Sequence, residues 1–365
     1  MSAKLSVIIC SLNGADGLDR CLRAVTAQTI FSSLEIIVVD DGSTDGTSQI
    51  GRSHGAFVVR HAANFGLAVA RNSGLRAATA PVVAFLDDDC EPEPVWAEQL
   101  LAGYEELAGY EERVIGVGGP ILPAAGYGYM LGYFERNNPL KPQEADLASS
   151  NKLAYRLKLY LRRQWTQTID VSPRAVYSFA GANMSFLRQA LIEVGQFDER
   201  FRFGGEDLDL CMRMRRAFPS GRLAFTPKAS VTHHFKPSIY DMVRRSRAYG
   251  RGSARLYRKW PALPPTFFPG PVLVLAMLVL STRNRSFAMA TMAVPHLLYP
   301  RGLRLAITSR SAASFLDPYL QLAQETCGNV GFVEGLWLFR HLAPEASSEA
   351  VLAAVESRDG RGLVT

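Results

Sequence analysis

A chain of 365 residues is long enough to bury one large core or two modest ones. With 48% hydrophobic and 20% charged residues, and no low-complexity tract or obvious internal repeat, it reads as globular, which excludes a disordered or fibrous chain. The net charge of +6 implies an anionic partner such as nucleotide phosphates, lipid head groups or nucleic acid; the five cysteines, odd in number and without CxxC or Cys/His metal spacing, exclude a disulfide scaffold and fit a reducing compartment.

The first predicted element is the β run Leu5–Cys10, broken by Ser11-Leu12-Asn13-Gly14. A strand so close to the start, with polar residues by Ser11, leaves no room for a signal peptide. Residues 16–29 carry Leu18, Cys21, Leu22 and Val25 at helical spacing. Leu34–Val39 is a second strand ending in Asp40-Asp41-Gly42-Ser43, and Ser43 or Thr44 is placed to cap the next helix. Phe57–Val59, a helix entered through Asn64-Phe65-Gly66-Leu67 and ending near Ala80, and Val82–Leu86 complete the alternation. Strand and helix exchanging over short connections predict an α/β fold: a doubly wound, mostly parallel sheet with helices on both faces.

Beyond residue 100 the pattern is less regular. Val114–Val117 suggests another strand, and residues 118–150, rich in Gly, Pro and Tyr, suggest a long loop or flap. Arg156–Trp165 suggests an amphipathic helix, Phe179–Phe186 a strand, Arg188–Val194 and Glu206–Ala217 helices, and Ala224-Phe225 and Ser230–Thr232 short strands. Arginines crowd residues 244–259. Pro261–Thr282 is free of charge, as is the shorter run Ser286–Pro300, with Arg283-Asn284-Arg285 between them. A membrane span needs about 20 apolar residues. The pattern therefore fits either a two-helix hairpin dipping into a bilayer, with the basic stretch on anionic lipid heads, or a pair of buried helices.

The chemistry concentrates in acids. Asp87, Asp88 and Asp89 close the strand that ends at Leu86. Adjacent carboxylates repel, so stability does not account for them, and hard cations such as Mg²⁺ or Mn²⁺ take carboxylate and phosphate oxygens. The carboxyl end of such a strand is where open α/β sheets bind ligands. A solvated acidic turn is the competing reading. Downstream, Gly204-Gly205-Glu206-Asp207 sets two acids at a predicted helix start, either as a cap or as a general base beside a close-approaching backbone. His233 and His234 sit adjacent on a strand and must point to opposite faces.

Six segments in order, SVIICSLN, VVDDGSTDGT, NFGLAVARNSGL, FLDDDCEPEP, AGANMSF and FGGEDLDLCMR, make residues 4–237 resemble the family 2 inverting glycosyltransferases with the GT-A fold, of the membrane-associated bacterial type. The resemblance implies a division into a GT-A nucleotide-sugar-binding and catalytic domain, 1–240, and a helical, partly hydrophobic region, 241–365. It implies that Ser11 and Asn13 lie beside the base of a nucleotide-sugar, that Asp41 accepts from base or ribose, and that Arg71 contacts the nucleotide. Asp89 becomes the direct metal ligand, with Asp87 and Asp88 on ribose or metal-bound water, Asp87 a possible second ligand, and His233 near the metal. Asp207 becomes the general base and Glu206 its orienting neighbour, while Asp209 is structural. Asn183 is either a donor-sugar or acceptor contact or a plain turn amide. The implied partners are an NDP-sugar, UDP-sugar favoured, and a glycan or lipid-linked acceptor at the cytoplasmic side of the membrane, or in the cytoplasm if the chain is soluble.

Departures narrow the reading. Neither Arg163-Gln164-Trp165 nor Arg258-Lys259-Trp260 fits the QxxRW motif of processive synthases, which favours single-sugar transfer over a polysaccharide synthase. Cys10 stands where relatives often carry Pro or Thr. A catalytically silent sugar-nucleotide-binding protein of the same fold is a further alternative. The arginine stretch matches no nucleic-acid motif, so no nucleic acid is expected. No glycine-rich loop with a following lysine supports a nucleotidyltransferase.

Overall fold

The structure is a computed structural model that describes residues 3–106, 113–144, 152–165, 172–260, 267–308 and 312–342. Strand and helix alternate as the pattern predicts through β1 (Leu5–Ser11), α1 (Ala15–Thr26), β2 (Leu34–Asp40), α2 (Thr47–Ser53), β3 (Phe57–Arg60), α3 (Leu67–Ala77) and β4 (Val82–Asp87). There follow β5 (Cys90–Pro92), α4 (Trp96–Glu106), β6 (Arg113–Gly118), β7 (Ile121–Pro123), α5 (Tyr129–Arg136), β8 (Gln143–Glu144) and α6 (Leu153–Trp165). Then come β9 (Arg174–Ser178), β10 (Asn183–Leu187), α7 (Arg188–Glu193), α8 (Glu206–Ala217), β11 (Gly221–Phe225) and β12 (Val231–His233). The remainder is helical: α9 (Ile239–Lys259), α10 (Pro269–Ser281), α11 (Arg285–Leu298), α12 (Pro300–Thr308) and α13 (Asp317–Leu338).

The main sheet has the order β3-β2-β1-β4-β10-β6-β11-β9-β8. β3, β2, β1 and β4 are parallel, so their carboxyl ends share one edge. β10 runs against both β4 and β6. The strands read as near-continuous apolar runs because both faces are covered. In β1, Leu5, Val7 and Ile9 enter one core with α1 and α4, while Ile8 enters the other with α3 and α8. That alternation is the two-residue period of a strand.

A small sheet, β5-β12-β7, lies at the same edge. The antiparallel register of β12 on β5 sets His233 opposite Cys90. A sequence separation of more than a hundred residues thus becomes direct adjacency at the end of β4.

Several expectations need correction. α2 starts at Thr47 behind Gly46, without a side-chain cap, and Asp45 accepts its first N–H at 3.0 Å. Ser43 instead accepts from the Asn13 N–H at 2.9 Å. The supposed loop 118–150 contains β7, α5 and β8, although residues 145–150 lie outside those described. Strand pairing begins at Asn183, not at Phe179.

The basic stretch 244–259 is mostly turned inward on α9. Arg247 and Arg251 pair with Glu334, Lys259 with Asp198 and Asp209, and Arg255 stacks on Phe201 and Phe339. These contacts tie those cations of α9 to its neighbours, while Arg244 stays exposed. In the charge-free run, residues 261–266 lie outside those described. α10 and α11, of 13 and 14 residues, pack on one another, and no described helix is long and apolar enough to cross a membrane.

Candidate active site

The acidic trio sits at the carboxyl edge of the sheet, where register pairs Asp87 with Cys10 of β1. Asp88 accepts a short hydrogen bond from the Ser11 hydroxyl. Gly14 leaves room beside it, since a Cβ there would press on the Asp88 carboxylate and the Ser11 hydroxyl. Burial, reinforced by the charges of their neighbours in the trio, pushes Asp88 up to about 7 despite the Ser11 bond, and Asp89 likewise to about 7. Such a cluster carries less negative charge than three free aspartates and is relieved by any cation placed against it.

Across the same edge, the Asp41 carboxylate is held by His61 Nδ1 at 2.6 Å and by the backbone N–H groups of Phe65 and Gly66 at 3.0 and 2.8 Å. It pins the loop that opens α3, where Gly66 takes φ of 100°, a conformation suited to glycine. Asn13 stands alongside with φ of 53° and accepts from the Thr44 N–H at 2.8 Å. Ser11, Asn13 and Asp41 therefore lie together at this edge of the sheet, Ser11 and Asp41 buried. Asp40 is buried and accepts from Ser43 N–H at 2.7 Å and from the Ser48 hydroxyl, which makes it part of the turn's scaffold.

Arg71 connects this cluster to the second pair of acids. It is buried on α3, donates from Nη1 to Glu206 at 2.8 Å and from Nη2 to the Gly181 carbonyl at 3.1 Å, and reaches Asp87 at 3.4 Å. The donor-side and downstream carboxylates thus share one guanidinium, and the fork of an arginine is what allows it to face both. Gly205 takes φ of 92° at the start of α8, turning Glu206 and Asp207 to the cleft. Asp207 accepts from the Gly181 N–H at 3.0 Å and the Leu208 N–H at 2.7 Å. Burial raises Glu206 to about 7 against the pull of Arg71, and raises Asp207 as well.

A cation-binding set lies next to the trio. Ligand atoms of Asp89, Cys90 and His233 fall within 4.8 Å of one another. His233 Nε2 is 3.3 Å from Asp89 Oδ1, and its Nδ1 is buried with no hydrogen-bond partner. Burial lowers His233 to about 4, so the ring is a neutral imidazole with a lone pair to offer, the form that ligates metals. These residues fit a divalent ion. Cys90 was missed from sequence, and only the β5–β12 register reveals it; burial raises its thiol well above the usual range, which leaves it a neutral and poor partner for a hard ion. Asp87, expected as a second ligand, is outside that set and faces Arg71 instead. His234 points the other way and stands 2.6 Å from Glu91, as opposite strand faces require.

Asn183 has no contact to offer a sugar. Its Oδ1 accepts from Trp96 Nε1 at 2.9 Å, and its Nδ2 donates to the carbonyls of Ala229 and Pro120 at 2.8 and 3.1 Å. The amide, buried at the first residue of β10, is spent on joining the two sheets. Asp209 accepts from Arg213 and Trp260, both at 2.9 Å, as a structural residue would. Two further residues of α9 border the cleft. Arg245 stacks on Phe235 and acts electrostatically on Asp89 and His233. Tyr249 packs on Gly204 while nearly half of its surface stays exposed. In the sequence they were part of an arginine-rich stretch, with no signal that this helix face closes the site.

Comparison with known proteins gives a consistent result. Residues 6–159 match the family described as Glycosyl transferase family 2, and residues 149–302 match Glycosyl transferase family group 2. Over 377 aligned positions the chain is 30% identical to the pre-mycofactocin glycosyltransferase of Mycobacterium tuberculosis, covering 99% of this chain and 68% of that protein. It is 30% identical over 240 positions to the validoxylamine A glucosyltransferase of Streptomyces hygroscopicus subsp. jinggangensis, covering 58% of this chain and 51% of that one. Among solved structures, a mannosyltransferase from Pyrobaculum calidifontis, in complex with GDP-Man and Mn²⁺, superposes with a TM-score of 0.54 at 19% identity, over 92% of this chain and 88% of that one. At that identity the likeness speaks to the fold.

Proposed function

Because the chain belongs to glycosyl transferase family 2, we propose that it is an inverting, metal-dependent glycosyltransferase that moves a single sugar from an NDP-sugar, UDP-sugar favoured, to a hydroxyl acceptor. The observation that carries this reading is the Arg71 bridge between Asp87 and Glu206, which gathers the donor-side and downstream acids into one cleft.

Ser11, Asn13 and Asp41 would receive the nucleoside, with Asp87 and Asp88 toward its ribose. Asp89 and His233 would hold Mg²⁺ or Mn²⁺, which when bound supplies Lewis-acid neutralisation of the diphosphate. Asp207 is the base: its carboxylate is less enclosed than that of Glu206, which Arg71 holds. Asp207 takes the proton of the acceptor hydroxyl as that oxygen bonds to the anomeric carbon from the face opposite the leaving group. The bond from that carbon to the phosphate oxygen breaks, and its electron pair leaves on the nucleoside diphosphate. One displacement inverts the anomeric configuration. Glu206 and Arg71 orient the base and oppose charge build-up around it.

The reading assigns residues 1–240 to donor binding and catalysis and 241–365 to an acceptor-facing region. Exposed Val272, Leu275, Leu278 and Val279 on α10 support contact with the cytoplasmic face of a membrane and hence a lipid-linked or cell-envelope glycan acceptor.

The test is Asp207→Asn assayed with a panel of nucleotide-sugars. Transfer should fall by about 10²–10⁴-fold, the usual contribution of a general base, while donor affinity stays within a factor of two. The wild-type acid limb should lie above the ordinary aspartate range, because burial raises the carboxyl pair. A variant with wild-type turnover removes Asp207 from the reaction.

A further inference from the structure

A cavity of about 390 Å³ lies among α5, α6, α9, α12 and α13, and no residue of the acid cluster lines it. Small-ligand pockets run from roughly 300 to 1,000 Å³, so it can seat a ligand. Arg301, the second residue of α12, stands in its wall. Its Nη2 donates to the Arg136 carbonyl at 2.6 Å and to the side-chain oxygen of Asn137. Both of those partners are neutral. Nε and Nη1 have no partner among the described residues, and neither is sealed inside the protein. Burial lowers the guanidinium below the ordinary arginine range, with Tyr133 and Asp317 opposing.

The acids nearby leave that charge without a hydrogen-bonded counter-ion. Asp317 is filled by other donors: Oδ1 accepts from the Tyr129 hydroxyl at 3.1 Å and Arg136 Nη2 at 2.9 Å, and Oδ2 from Arg136 Nε at 2.7 Å and Asn137 Nδ2 at 3.2 Å. Two guanidiniums thus stand near one carboxylate, and Arg136 holds it. Glu325, the one acid of the described lining, accepts from Tyr299 at 2.7 Å and Tyr160 at 2.9 Å, and burial pushes it up to about 7, toward its neutral form. A half-buried arginine bonded only to dipoles favours an anion, because hydrogen bonds between charged groups are shorter and roughly twice as strong as neutral ones. Two neutral donors face the same space: the Ser253 hydroxyl and the amide nitrogen of Gln324, whose oxygen accepts from Tyr133 at 3.0 Å. Donors on three helices suit a phosphate, which carries more acceptor oxygens than a carboxylate. A bare ion would leave most of the space empty, and the rings of Tyr160 and Phe268 offer apolar faces to an organic group.

We propose that this cavity is an anion site that binds a phosphate ester, with Arg301 on the phosphate oxygens and Tyr160 and Phe268 against the organic group. The site does not depend on the sugar-transfer chemistry of the acid cluster. Its ester is either a soluble molecule or a lipid head group. Phe268 leads directly into α10, whose Val272, Leu275 and Val279 are exposed, so a head group held here would have an apolar helix close by.

The experiment titrates phenyl phosphate into the full chain by calorimetry, with phenyl β-d-glucoside as the neutral counterpart of the same ring. UDP and Mg²⁺ in excess keep the acid cluster from competing for the probe. Arg301→Gln removes the charge, Arg301→Lys keeps it, and Gln324→Glu sets a negative charge in the lining while keeping an acceptor for the Tyr133 hydroxyl. Circular dichroism checks that each variant is folded, and Gln324→Glu decides if Arg301→Gln is not. The expected result is that phenyl phosphate binds more tightly than the glucoside. Its affinity should fall at least tenfold in Arg301→Gln and Gln324→Glu, the scale of one hydrogen bond to a charged group, and less in Arg301→Lys. The proposal is overturned if phenyl phosphate binds no better than the glucoside, or if its affinity survives the loss of charge at Arg301 or the added charge at Gln324. Cosedimentation with phosphatidylcholine vesicles containing phosphatidic acid then separates the two sources. Binding that is lost in Arg301→Gln assigns the site to a lipid head group, and cosedimentation equal to wild type assigns it to a soluble phosphate ester.

Discussion

Arg71 is the residue on which the site turns. A guanidinium buried against Glu206, with the partly exposed Asp87 at its edge, compensates a carboxylate that would otherwise be enclosed without a partner. Breaking a buried pair by removing one member typically costs about 3–5 kcal/mol. Arg71→Ala should therefore lose stability on that scale in urea unfolding, and Glu206→Gln in the same chain should restore part of it. A loss under about 1 kcal/mol would mean that the bridge is not formed. Asn183→Ala isolates the opposite case, a motif residue without a site. It leaves the Trp96 N–H and the Ala229 carbonyl unpaired, each an unsatisfied buried group worth about 1–3 kcal/mol, while the Pro120 carbonyl keeps the Val231 N–H at 3.0 Å. Thermal unfolding should drop clearly while donor affinity in the folded fraction is kept; a selective loss of donor affinity would return Asn183 to the sugar site. Sequence alone could not separate these roles, because a motif fixes which residue is present and not where its side chain spends its hydrogen bonds.

At the scale of elements, β1 to β4 were legible because each strand is a short apolar run bounded by turn residues, and α1 because Leu18, Cys21, Leu22 and Val25 recur at helical spacing. The start of α8 at Glu206 was legible for the same reason, with two glycines before it. The pairing of β12 with β5 was not, since register between distant short strands leaves no local trace, and with it went the position of Cys90. The inward face of α9 was hidden by its own composition. Its arginines read as a solvent-facing cluster, whereas glycines decide the contact: a Cβ on Gly250 would overlap the Gly328 carbonyl, and one on Gly331 the Arg247 carbonyl. Gly331→Ala should push α9 and α13 apart at a cost of about 1–3 kcal/mol, the range for overpacking. Because α9 carries Tyr249 and Arg245, the rate of transfer should fall with stability in that variant. Unchanged unfolding and unchanged rate together would show that the two helices do not cross so closely.

For the molecule as a whole, an open sheet gathers its chemistry at one edge because parallel strands all end there. β1 contributes Ser11, β2 leads into Asp41, and β4 ends at Asp87 with Asp88 and Asp89 beyond it. The reversed strand β10 and the small sheet bring the downstream acids and His233 to that edge. The C-terminal helices close over it from one side through α9 and carry an exposed apolar pair away from it. The central claim is that one cleft holds a cation against the donor with Asp89 and moves a proton with Asp207. Calorimetric titration of UDP into Asp89→Asn, with and without Mn²⁺, tests it most directly. The account predicts that Mn²⁺ strengthens UDP binding to the wild-type chain by at least tenfold and leaves the variant unchanged. Equal strengthening in both would contradict it.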